Sequence, residues 1–392
     1  MLSIPSLKIL YIVSHWPGAP TYGAQQRVLE IGRLLKRVGN VSLVVVDEHG
    51  YEKRSREKTE AEFNLARVVT VRSVSSKGLR ARLRHEFDAG YVSHTADPSE
   101  CQAVLNLASQ HDLVWMHTIR TANLLGIYRW PHSVLDVDDI PSRVYQSSAL
   151  VAASFARRVL DRRMSLIWRR REQRLAKRFD SMTVCSEDDR RYLGMNHVRV
   201  LPNGFQRLSS VERCPTQPPR LGFIGTLRWG PNVDGVRWFC DNVWPRVKEQ
   251  MPDAELRIIG EGTDQTNGWG DKVVALGRVE EVGPEIATWS AMIVPIRTGG
   301  GTRIKVLEGF ARTCPVVATK LGAFGYDIKD EEEAYIADEP DLFARRCIDL
   351  MKSPQVAEHM AAQAYRRFLK CWTWESYEDI VLAAVESVRR KN

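Results

Sequence analysis

Short apolar runs alternate with longer amphipathic stretches along the first third of the chain. Five of these runs have the length and the branched and aromatic content that predict strands: residues 8–13, 41–47, 68–74, 112–117 and 133–137. Most of the stretches between them carry apolar residues at helical spacing. Strands that alternate with helices favour a parallel sheet with right-handed crossovers.

A second series of the same kind begins near residue 221. Its apolar runs are residues 221–225, 254–259, 272–276, 291–296 and 315–318. The stretch between the two series is rich in proline and serine, which is typical of a linker. We therefore predict an α/β protein with two doubly wound, Rossmann-like domains that face each other across a cleft, with ligands at the carboxyl ends of the strands. The predicted boundaries are 1–205 for the first domain, 206–219 for the linker and 220–372 for the second domain.

Composition predicts a cytoplasmic protein. The 392 residues are 44% hydrophobic and 27% charged, and no run of about twenty apolar residues is present. The apolar start of the chain has no basic segment before it and is predicted to be a strand instead of a signal peptide. Seven scattered cysteines predict reduced thiols, without a disulfide framework or a zinc site. The net charge of +8 favours an anionic partner, such as a nucleotide, a diphosphate lipid or a membrane surface.

The strongest chemical signal is the segment 298–311, TGGGTRIKVLEGFA. Gly300, Gly301 and Thr302 lie between a predicted strand and a predicted helix, where glycines let backbone N–H groups approach a ligand. The start of the following helix carries partial positive charge and unpaired donors, so it suits an anion.

Three charged side chains complete this segment. Arg303 and Lys305 stand at the helix start, and an arginine can hold a phosphate through two parallel hydrogen bonds. Glu308 follows about one and a half turns later, where its carboxylate can accept hydrogen bonds from paired sugar hydroxyls. The combination predicts a nucleotide-sugar site, with the diphosphate at the helix start and the ribose at Glu308. An ordinary crossover with a solvated basic turn is the alternative.

These residues resemble the C-terminal signature of GT-B glycosyltransferases, in particular the retaining group 1 enzymes (family 4) and their branch linked to bacterial exopolysaccharide synthesis. Three further segments are similar to motifs of that family: FIGTLRWGPNVDGVRWF at 223–239, VLPNG at 200–204 and VCSEDD at 184–189. The resemblance covers nearly the whole chain and is most specific over residues 181–325. It implies that the second domain binds the donor and that the last segment, 373–392, crosses back to the first domain.

The resemblance also implies individual site residues. In the donor domain they follow the first strand: Gly225, Thr226 and Arg228. In the first domain, Gly23 lies in a segment, 14–27, that is similar to the family's glycine-rich loop facing the donor phosphates and the acceptor. His117 is similar to a strand-end histidine that lines the reaction centre, where a neutral imidazole can hold a sugar or acceptor hydroxyl. A hydrogen-bonded core histidine is the alternative.

The chain departs from the family pattern at several positions. Gly300 stands where the family commonly has a glutamate near the donor sugar, whereas Glu308 matches the second glutamate, at the ribose. In the N-terminal loop, Gly23 is followed by Ala24, and Arg27 stands at the approximate place of a histidine.

Two charges that face the diphosphate in the family are also absent. Thr226 and Pro231 stand where the family commonly has an arginine and a lysine. We expect Arg303 and Lys305, helped by Arg228, to replace those charges and to stabilise the leaving nucleoside diphosphate.

The segment 136–139 contains a D-x-D triplet, which binds a divalent metal in the other large glycosyltransferase fold. Hard cations prefer clustered oxygen ligands. The triplet lies in the first domain, far in sequence from 298–311, so we favour a turn cap or a place lining the acceptor cleft for Asp138 or Asp139. We predict no metal and no cofactor.

Residues 156–179 hold nine arginines, together with apolar residues at helical spacing. A basic amphipathic helix with an exposed tryptophan suits an anionic membrane. We favour the alternative, a helix packed on the sheet with a solvated charged face. Nucleic-acid binding has no recognition motif in its support.

The predicted function is transfer of a hexose-type sugar from a nucleotide donor to a hydroxyl acceptor, which is a lipid-linked or growing bacterial polysaccharide. The resemblance implies retention at the anomeric carbon, and we expect no covalent enzyme intermediate. The predicted location is the cytoplasm or, if the basic helix binds lipid, the inner membrane surface. Two alternatives remain: a non-catalytic nucleotide-sugar-binding subunit, which the missing glutamate at Gly300 favours, and a GT-B-shaped nucleotide-sugar epimerase.

Overall fold

The computed structural model describes residues 7–18, 23–48, 50, 53–73, 94–150, 152, 154–209 and 211–389. The chain divides into two compact units, Met1–Pro202 together with Tyr377–Asn392, and Asn203–Ser376. Each unit contains one mostly parallel sheet with helices between its strands. The predicted α/β organisation in two parallel-sheet domains is therefore confirmed.

The sheet of the first unit has eight strands in the described part of the chain. They are β1 (Leu7–Val13), β2 (Gly39–Asp47), β3 (Asn64–Ser73), β4 (His94–Ala96), β5 (Leu113–His117), β6 (Ser133–Asp136), β7 (Ser181–Val184) and β8 (Val198–Val200). Their order is β4-β3-β2-β1-β5-β6-β7-β8, and only β3 and β4 pair antiparallel. The strand order reverses between β1 and β5, and doubly wound sheets bind ligands outside the carboxyl ends of the strands at such a point.

The helices of this unit connect the strands in sequence. They are α1 (Gly23–Val38), α2 (Lys53–Glu62), α3 (Pro98–Ala108), α4 (Ile119–Leu124), α5 (Pro141–Leu150), α6 (Phe155–Glu172) and α7 (Glu187–Leu193), with a 3₁₀ turn at Leu175–Lys177. Several begin at side-chain caps: Ser154 caps α6 and Ser186 caps α7.

The second unit has a fully parallel sheet of six strands in its described residues. They are β9 (Arg220–Ile224), β10 (Glu255–Ile259), β11 (Val273–Gly277), β12 (Ala291–Val294), β13 (Val316–Ala318) and β14 (Tyr335–Ile336). Their order is β11-β10-β9-β12-β13-β14. Here the order reverses between β9 and β12, which places the loops after these two strands at the expected ligand position.

Helices and helical turns again connect the strands of the second unit. They are α8 (Gly230–Trp238), a π segment (Phe239–Val243), α9 (Trp244–Gln250), α10 (Val282–Ala287), α11 (Ile304–Ala311), α12 (Pro340–Lys352) and α13 (Pro354–Cys371), with 3₁₀ turns at Thr263–Thr266 and Trp374–Tyr377. The last helix of the chain, α14 (Glu378–Arg389), belongs to the first unit, where it contacts α1 and β7. The end of the segment predicted to cross back, residues 390–392, lies outside the described residues.

The stretch predicted as a linker, residues 206–219, lies within the second unit. The N–H of Cys214 donates to Ala287 O at 2.9 Å, and that of Thr216 donates to Thr288 O at 3.2 Å. Prolines in this stretch have no N–H to offer a sheet, and the N–H groups of Cys214 and Thr216 bind the end of α10. The stretch is therefore part of the second unit, which begins at residue 203.

All ten predicted strands are present, with ends displaced by a few residues. Residue 74, the predicted end of β3, lies outside the described residues. The hydrophobic pattern misses β4, β7, β8 and β14, which have only two to four residues each. Runs this short show no period, so the tertiary structure alone assigns them to the sheets.

Candidate functional site

The loop between β12 and α11 lies at the carboxyl end of the second sheet, beside the reversal of strand order. Gly299 (φ 103°) and Gly301 (φ 69°) adopt left-handed conformations that suit glycine. Thr302 is buried, and its Oγ1 accepts a hydrogen bond from Asn203 Nδ2 at 2.8 Å. The loop therefore has a fixed shape immediately before the helix start.

Arg303 directs its buried guanidinium into this loop. Nη1 donates to Gly300 O at 2.7 Å, Nη2 to Thr298 O at 3.2 Å and Nε to Leu321 O at 3.3 Å. Three donor bonds to backbone carbonyls make Arg303 a brace for the loop. The two-bond grip of Arg303 on a phosphate stays a prediction.

Lys305, in the first turn of α11, is the partly buried cation of the site. Its ammonium lies 5.6 Å from the centre of the Trp229 ring and 5.9 Å from that of Phe223. Within the described part of the chain it makes no hydrogen bond or ion pair. Burial lowers the pKa of Lys305 to about 8, with a further lowering by the charge of Arg303 and an opposite effect of Glu308. A desolvated cation without an anionic partner is destabilised, and an anionic ligand at Lys305 stays a prediction.

The strand end after β9 requires glycine because Lys305 packs against it. A Cβ added to Gly225 would lie 2.7 Å from Lys305 Cε and 2.8 Å from Asn232 Nδ2. Gly225 also has a φ of 155°. The structure thus brings together Gly225 and Lys305, which are far apart in sequence and which the sequence placed in two separate motifs.

Glu308 lies one turn further along α11, and one of its two carboxylate oxygens is engaged. Oε1 accepts from Arg312 Nε at 3.2 Å and from Arg312 Nη2 at 3.1 Å. For Oε2 the described residues supply no hydrogen-bond donor. This oxygen can accept from a ligand hydroxyl, so the assignment of the ribose to Glu308 stays a prediction that the geometry permits.

Thr226 and Arg228 lie in the turn after β9, but Arg228 faces solvent. The Arg228 side chain is 74% exposed and pairs with Glu261 at 3.0 Å. Thr226 Oγ1 accepts from the Arg228 N–H at 3.3 Å, and Thr226 O accepts from Asn232 Nδ2 at 2.7 Å. Arg228 is therefore a weaker candidate for the diphosphate than Lys305.

Sequence reasoning missed two residues of this edge. Gly260 follows β10, and a Cβ there would lie 2.2 Å from Gly225 O, so the two strand ends touch through their backbones. Asn232 is 1% exposed, and its Oδ1 accepts no hydrogen bond from the described residues. A sequence signal for Gly260 exists, because an apolar run ends at Ile259 and is followed directly by Gly-Glu-Gly.

A second polar cluster lies at the carboxyl edge of the first sheet. His117 ends β5 and Asp136 ends the neighbouring strand β6, where the two residues are register partners. Asp136 Oδ2 accepts from His117 Nδ1 at 2.9 Å and from Arg27 Nε at 2.8 Å. Asp136 Oδ1 accepts from Arg27 Nη2 at 2.6 Å and from Thr183 Oγ1 at 2.8 Å. Arg27, His117 and Asp136 are all 0% exposed.

This cluster decides the role of the D-x-D triplet. Four hydrogen bonds occupy the carboxylate of Asp136, so it has no oxygen lone pair directed at a cation. Asp138, with φ 55°, accepts from Cys185 Sγ at 3.2 Å and lies 3.7 Å from Arg27 Nε. No group of three or more His, Cys, Asp or Glu that could hold a metal is found among the described residues.

The N-terminal loop is described only in part. Residues 19–22 lie outside the described residues, and Gly23 opens α1. Arg27, which stands at the approximate place of a family histidine, turns into the protein and binds Asp136 and the carbonyl of Leu201, the latter at 3.0 Å. Sequence reasoning gave Arg27 no partner, because the residue and its carboxylate are 109 positions apart.

The arginine-rich helix α6 packs on the first unit along one side and is exposed along the other. Trp168, expected to be exposed, is partly buried against the core and has the Arg171 guanidinium 4.8 Å above its ring. The opposite side carries exposed apolar residues: Phe155 (78%), Val159 (48%) and Leu166 (62%). None of the helices that the structure describes is long and apolar enough to cross a membrane.

Comparison with known proteins relates part of the chain to a glycosyltransferase family. A family model described as group 1 glycosyl transferases matches residues 218–353. Phosphatidyl-myo-inositol mannosyltransferase of Mycobacterium tuberculosis is 30% identical over 171 residues, which are 40% of this chain and 44% of that protein. The chain spans about half the length of the curated relatives it matches.

Solved structures match over nearly the whole chain. Sucrose-phosphate synthase from Thermosynechococcus elongatus superposes with a TM-score of 0.71 and 14% identity, covering 98% of this chain and 100% of that one. Anabaena HepE, solved in complex with UDP and glucose, gives a TM-score of 0.64 and 14% identity, covering 97% of this chain and 100% of that one. At these identities the likeness concerns the fold alone.

Proposed function

Because residues 218–353 belong to the group 1 glycosyl transferases and the chain has the GT-B fold, we propose that the protein transfers a hexosyl group from a nucleotide sugar to a hydroxyl acceptor. The observation that carries the proposal is Lys305. Its ammonium is partly buried at the reversal point of the second sheet, and no described residue neutralises it. A nucleotide diphosphate supplies the missing charge.

The donor occupies the carboxyl edge of the second sheet in this proposal. The diphosphate lies at the start of α11 beside Lys305, where the helix adds unpaired N–H groups. The ribose lies at Glu308, whose Oε2 accepts from its hydroxyls. Anabaena HepE, which shares the fold, was solved with UDP and glucose, and this supports a donor of the same kind here.

Transfer proceeds without a metal and with retention. Lys305 and the α11 terminus supply the positive charge that a cation would otherwise bring to the leaving diphosphate. The similarity of residues 298–311 to the retaining enzymes supports retention, and no covalent intermediate is needed. Transfer that is lost in EDTA and restored by Mn²⁺ or Mg²⁺ would contradict the metal-free mechanism.

The acceptor is a saccharide or a lipid-linked group of a growing bacterial polysaccharide. The mannosyltransferase relative is named for an inositol phospholipid, and the exposed face of α6 supports a place for this protein at an anionic membrane surface. On that face the exposed apolar stripe is flanked on both sides by exposed arginines: Arg158, Arg162, Arg163 and Arg170. Both acidic residues of α6, Asp161 and Glu172, are buried, so they do not oppose anionic lipid.

Liposome flotation tests the membrane surface. Each exposed arginine adds about 1 kcal/mol of attraction to anionic lipid, and salt screens it. We expect replacement of the four flanking arginines by glutamine to release the protein from phosphatidylglycerol vesicles at low salt. The matched control replaces four exposed lysines of the second unit with glutamine and keeps binding: Lys272, Lys320, Lys329 and Lys370. Wild-type protein that does not bind the vesicles at low salt would refute the proposed membrane-binding face of α6.

Calorimetric titration with nucleotide sugars tests the donor site. Glu308→Gln removes the charged acceptor for the ribose, and a hydrogen bond to a charged group contributes about 1.5–3 kcal/mol, so affinity should fall about tenfold or more. Arg312→Gln is the matched control because it breaks the same Glu308–Arg312 pair but keeps the carboxylate. Equal losses in the two variants would mean that the ion pair, and no ribose contact, explains the effect.

The missing glutamate at Gly300 supports a second candidate, a nucleotide-sugar-binding subunit without activity of its own. A nucleotide-sugar epimerase on the same fold is the third. Incubation of the purified protein with its donor separates the three: transfer or slow hydrolysis indicates the enzyme, an epimeric donor indicates the epimerase, and binding without turnover indicates the subunit.

A further inference from the structure

In the buried cluster at the edge of the first sheet, the Nε2 atom of His117 has no hydrogen-bond partner among the described residues. Asp136 accepts four hydrogen bonds, and Arg27 gives two of its donors to the two oxygens of that carboxylate. His117 uses Nδ1 on Asp136, whereas its buried Nε2 bonds to no described residue. A buried ring nitrogen at a strand end without a partner costs free energy unless a ligand uses it.

The chemistry of the cluster fixes the proton on the imidazole. Burial by itself would raise the pKa of Asp136, but the charge of Arg27 and the hydrogen bonds from His117 and Arg27 hold it well below its usual range. The carboxylate is therefore ionised at neutral pH and can only accept. His117 Nδ1 must then be the donor, which leaves a lone pair on Nε2 when the ring is neutral.

We propose that Arg27 and Asp136 are positioning residues that hold the His117 proton on Nδ1 and present Nε2 as a hydrogen-bond acceptor to a hydroxyl of the sugar or the acceptor. This inference rests on the proposed transfer reaction for the identity of the hydroxyl. The fixing of the tautomer is independent of it. Arg27 acts through Asp136, and Asp136 acts through His117, so neither needs to touch a substrate.

The geometry explains why the pair is ionic. A neutral acceptor in place of Asp136 could rotate or exchange donor and acceptor roles, and the ring would then be free to carry its proton on either nitrogen. The carboxylate excludes that exchange, and Arg27 stabilises the buried carboxylate by neutralising its charge. Thr118, the residue after His117, donates its N–H to Asp136 O at 2.8 Å and fixes the two strand ends to each other.

Ring nitrogen shifts of ¹⁵N-histidine-labelled protein test the tautomer. Long-range proton–nitrogen correlation spectra are recorded at a series of increasing pH values, and the tautomer is read where one ring nitrogen is protonated and the other is not. We expect a protonated, pyrrole-type Nδ1 and an unprotonated, pyridine-type Nε2 for His117 in the full-length protein. A proton on Nε2 overturns the inference whether or not the protein proves to be a transferase.

The double variant Arg27→Met/Asp136→Leu tests the positioning role. It removes both charges together, which a buried pair tolerates better than the loss of one partner. We expect the proton to leave Nδ1 in part or in full, kcat to fall about tenfold through the lost hydrogen bond, and nucleotide affinity to stay unchanged. The matched control is Arg143→Met/Asp189→Leu, which removes another buried carboxylate and its arginine from the same unit and should leave the His117 ring and kcat unchanged.

The outcomes separate this inference from the proposed function. An active wild type whose double variant keeps full kcat, or whose control variant loses as much, overturns the positioning role. A wild type that transfers no sugar while its His117 proton lies on Nδ1 refutes the transfer reaction, and with it the role of Nε2 as an acceptor for a reacting sugar, but leaves the fixed tautomer standing.

Discussion

The carboxyl edges of the two sheets differ in how their charges are balanced. At the first edge, Arg27 binds Asp136 inside the protein and lies 3.7 Å from Asp138, and His117 Nε2 bonds to no described residue. At the second edge, Arg303 is bound to loop carbonyls and Lys305 has no anionic partner among the described residues. Both edges lie at a reversal of strand order, so the side chains make the difference.

This contrast indicates what each edge can bind. A balanced ion pair orients a neutral group without attracting ions, which suits a hydroxyl. A cation without an anionic partner in a partly desolvated site destabilises the empty protein. The protein regains that free energy only when an anion binds. We therefore expect the second edge to bind a charged group and the first edge to orient a neutral one.

The largest effect is expected when the unbalanced cation is removed. Lys305→Met keeps the contacts with Phe223 and Trp229 but loses the charge that the leaving diphosphate needs, so kcat should fall on the order of a hundredfold. The empty variant should be at least as stable as the wild type, because a desolvated charge is gone. Steady-state kinetics and chemical denaturation measure the two quantities.

Two variants serve as comparisons for that result. Lys320→Met changes a lysine that is 82% exposed on the same unit and should have no effect. Arg303→Met should instead lower the stability, because it removes three hydrogen bonds that hold the loop. A different result would assign the diphosphate to Arg303. In that case Arg303→Met would lower kcat with unchanged stability, and Lys305→Met would change neither kcat nor stability.

An effect of up to about tenfold per pH unit is expected for nucleotide binding in alkaline solution. The pKa of Lys305 is about 8 in the folded protein, against an ordinary value of 10.5. If the Lys305 ammonium binds the diphosphate as proposed, that charge is lost above about pH 8 and affinity should fall there. The empty protein should behave oppositely. Between these two values the unfolded chain binds more protons than the folded one, so the contribution of Lys305 to the free energy of unfolding rises with pH.

Titrations and denaturation curves at a series of pH values give both slopes. Lys305→Arg, whose guanidinium stays charged throughout this range, should flatten both. An affinity that is independent of pH in the wild type would show that the ammonium does not contact the ligand.

The smallest expected effect is on stability and comes from the backbone of Thr118, the residue after His117. Thr118 has φ 71° and ψ 150°, a region that only glycine occupies without strain. Thr118→Gly should raise the free energy of unfolding by about 1 kcal/mol, because relief of strain exceeds the loss of a long capping bond to the Thr121 N–H. Lower stability of Thr118→Gly would mean that the Thr118 side chain stabilises the fold by more than its backbone strain destabilises it. An unchanged kcat of Thr118→Gly would show that the strained backbone at Thr118 does not determine the orientation of His117.

The hydrophobic pattern by itself determined the two parallel sheets, whereas anion binding by the segment 298–311 stays a prediction. Ten apolar runs of four to seven residues, with helical periods between most of them, admit few other folds. The glycines, the helix start and the charged residues of 298–311 are local features, so the sequence located the loop before α11 correctly. It also assigned the phosphate to Arg303 and Lys305 alike, since both stand within one helical turn.

Only the tertiary structure distinguished these two cations and found the partners of His117. Whether a side chain braces a loop or faces a ligand depends on carbonyls that the fold brings near it, and for Arg303 one of these belongs to Leu321, 18 residues away. The cluster of Arg27, His117 and Asp136 joins three elements through contacts that no local pattern encodes. Burial in a shared low-dielectric interior turns those distant residues into one charge-balanced unit, and that interior exists only after the chain has folded.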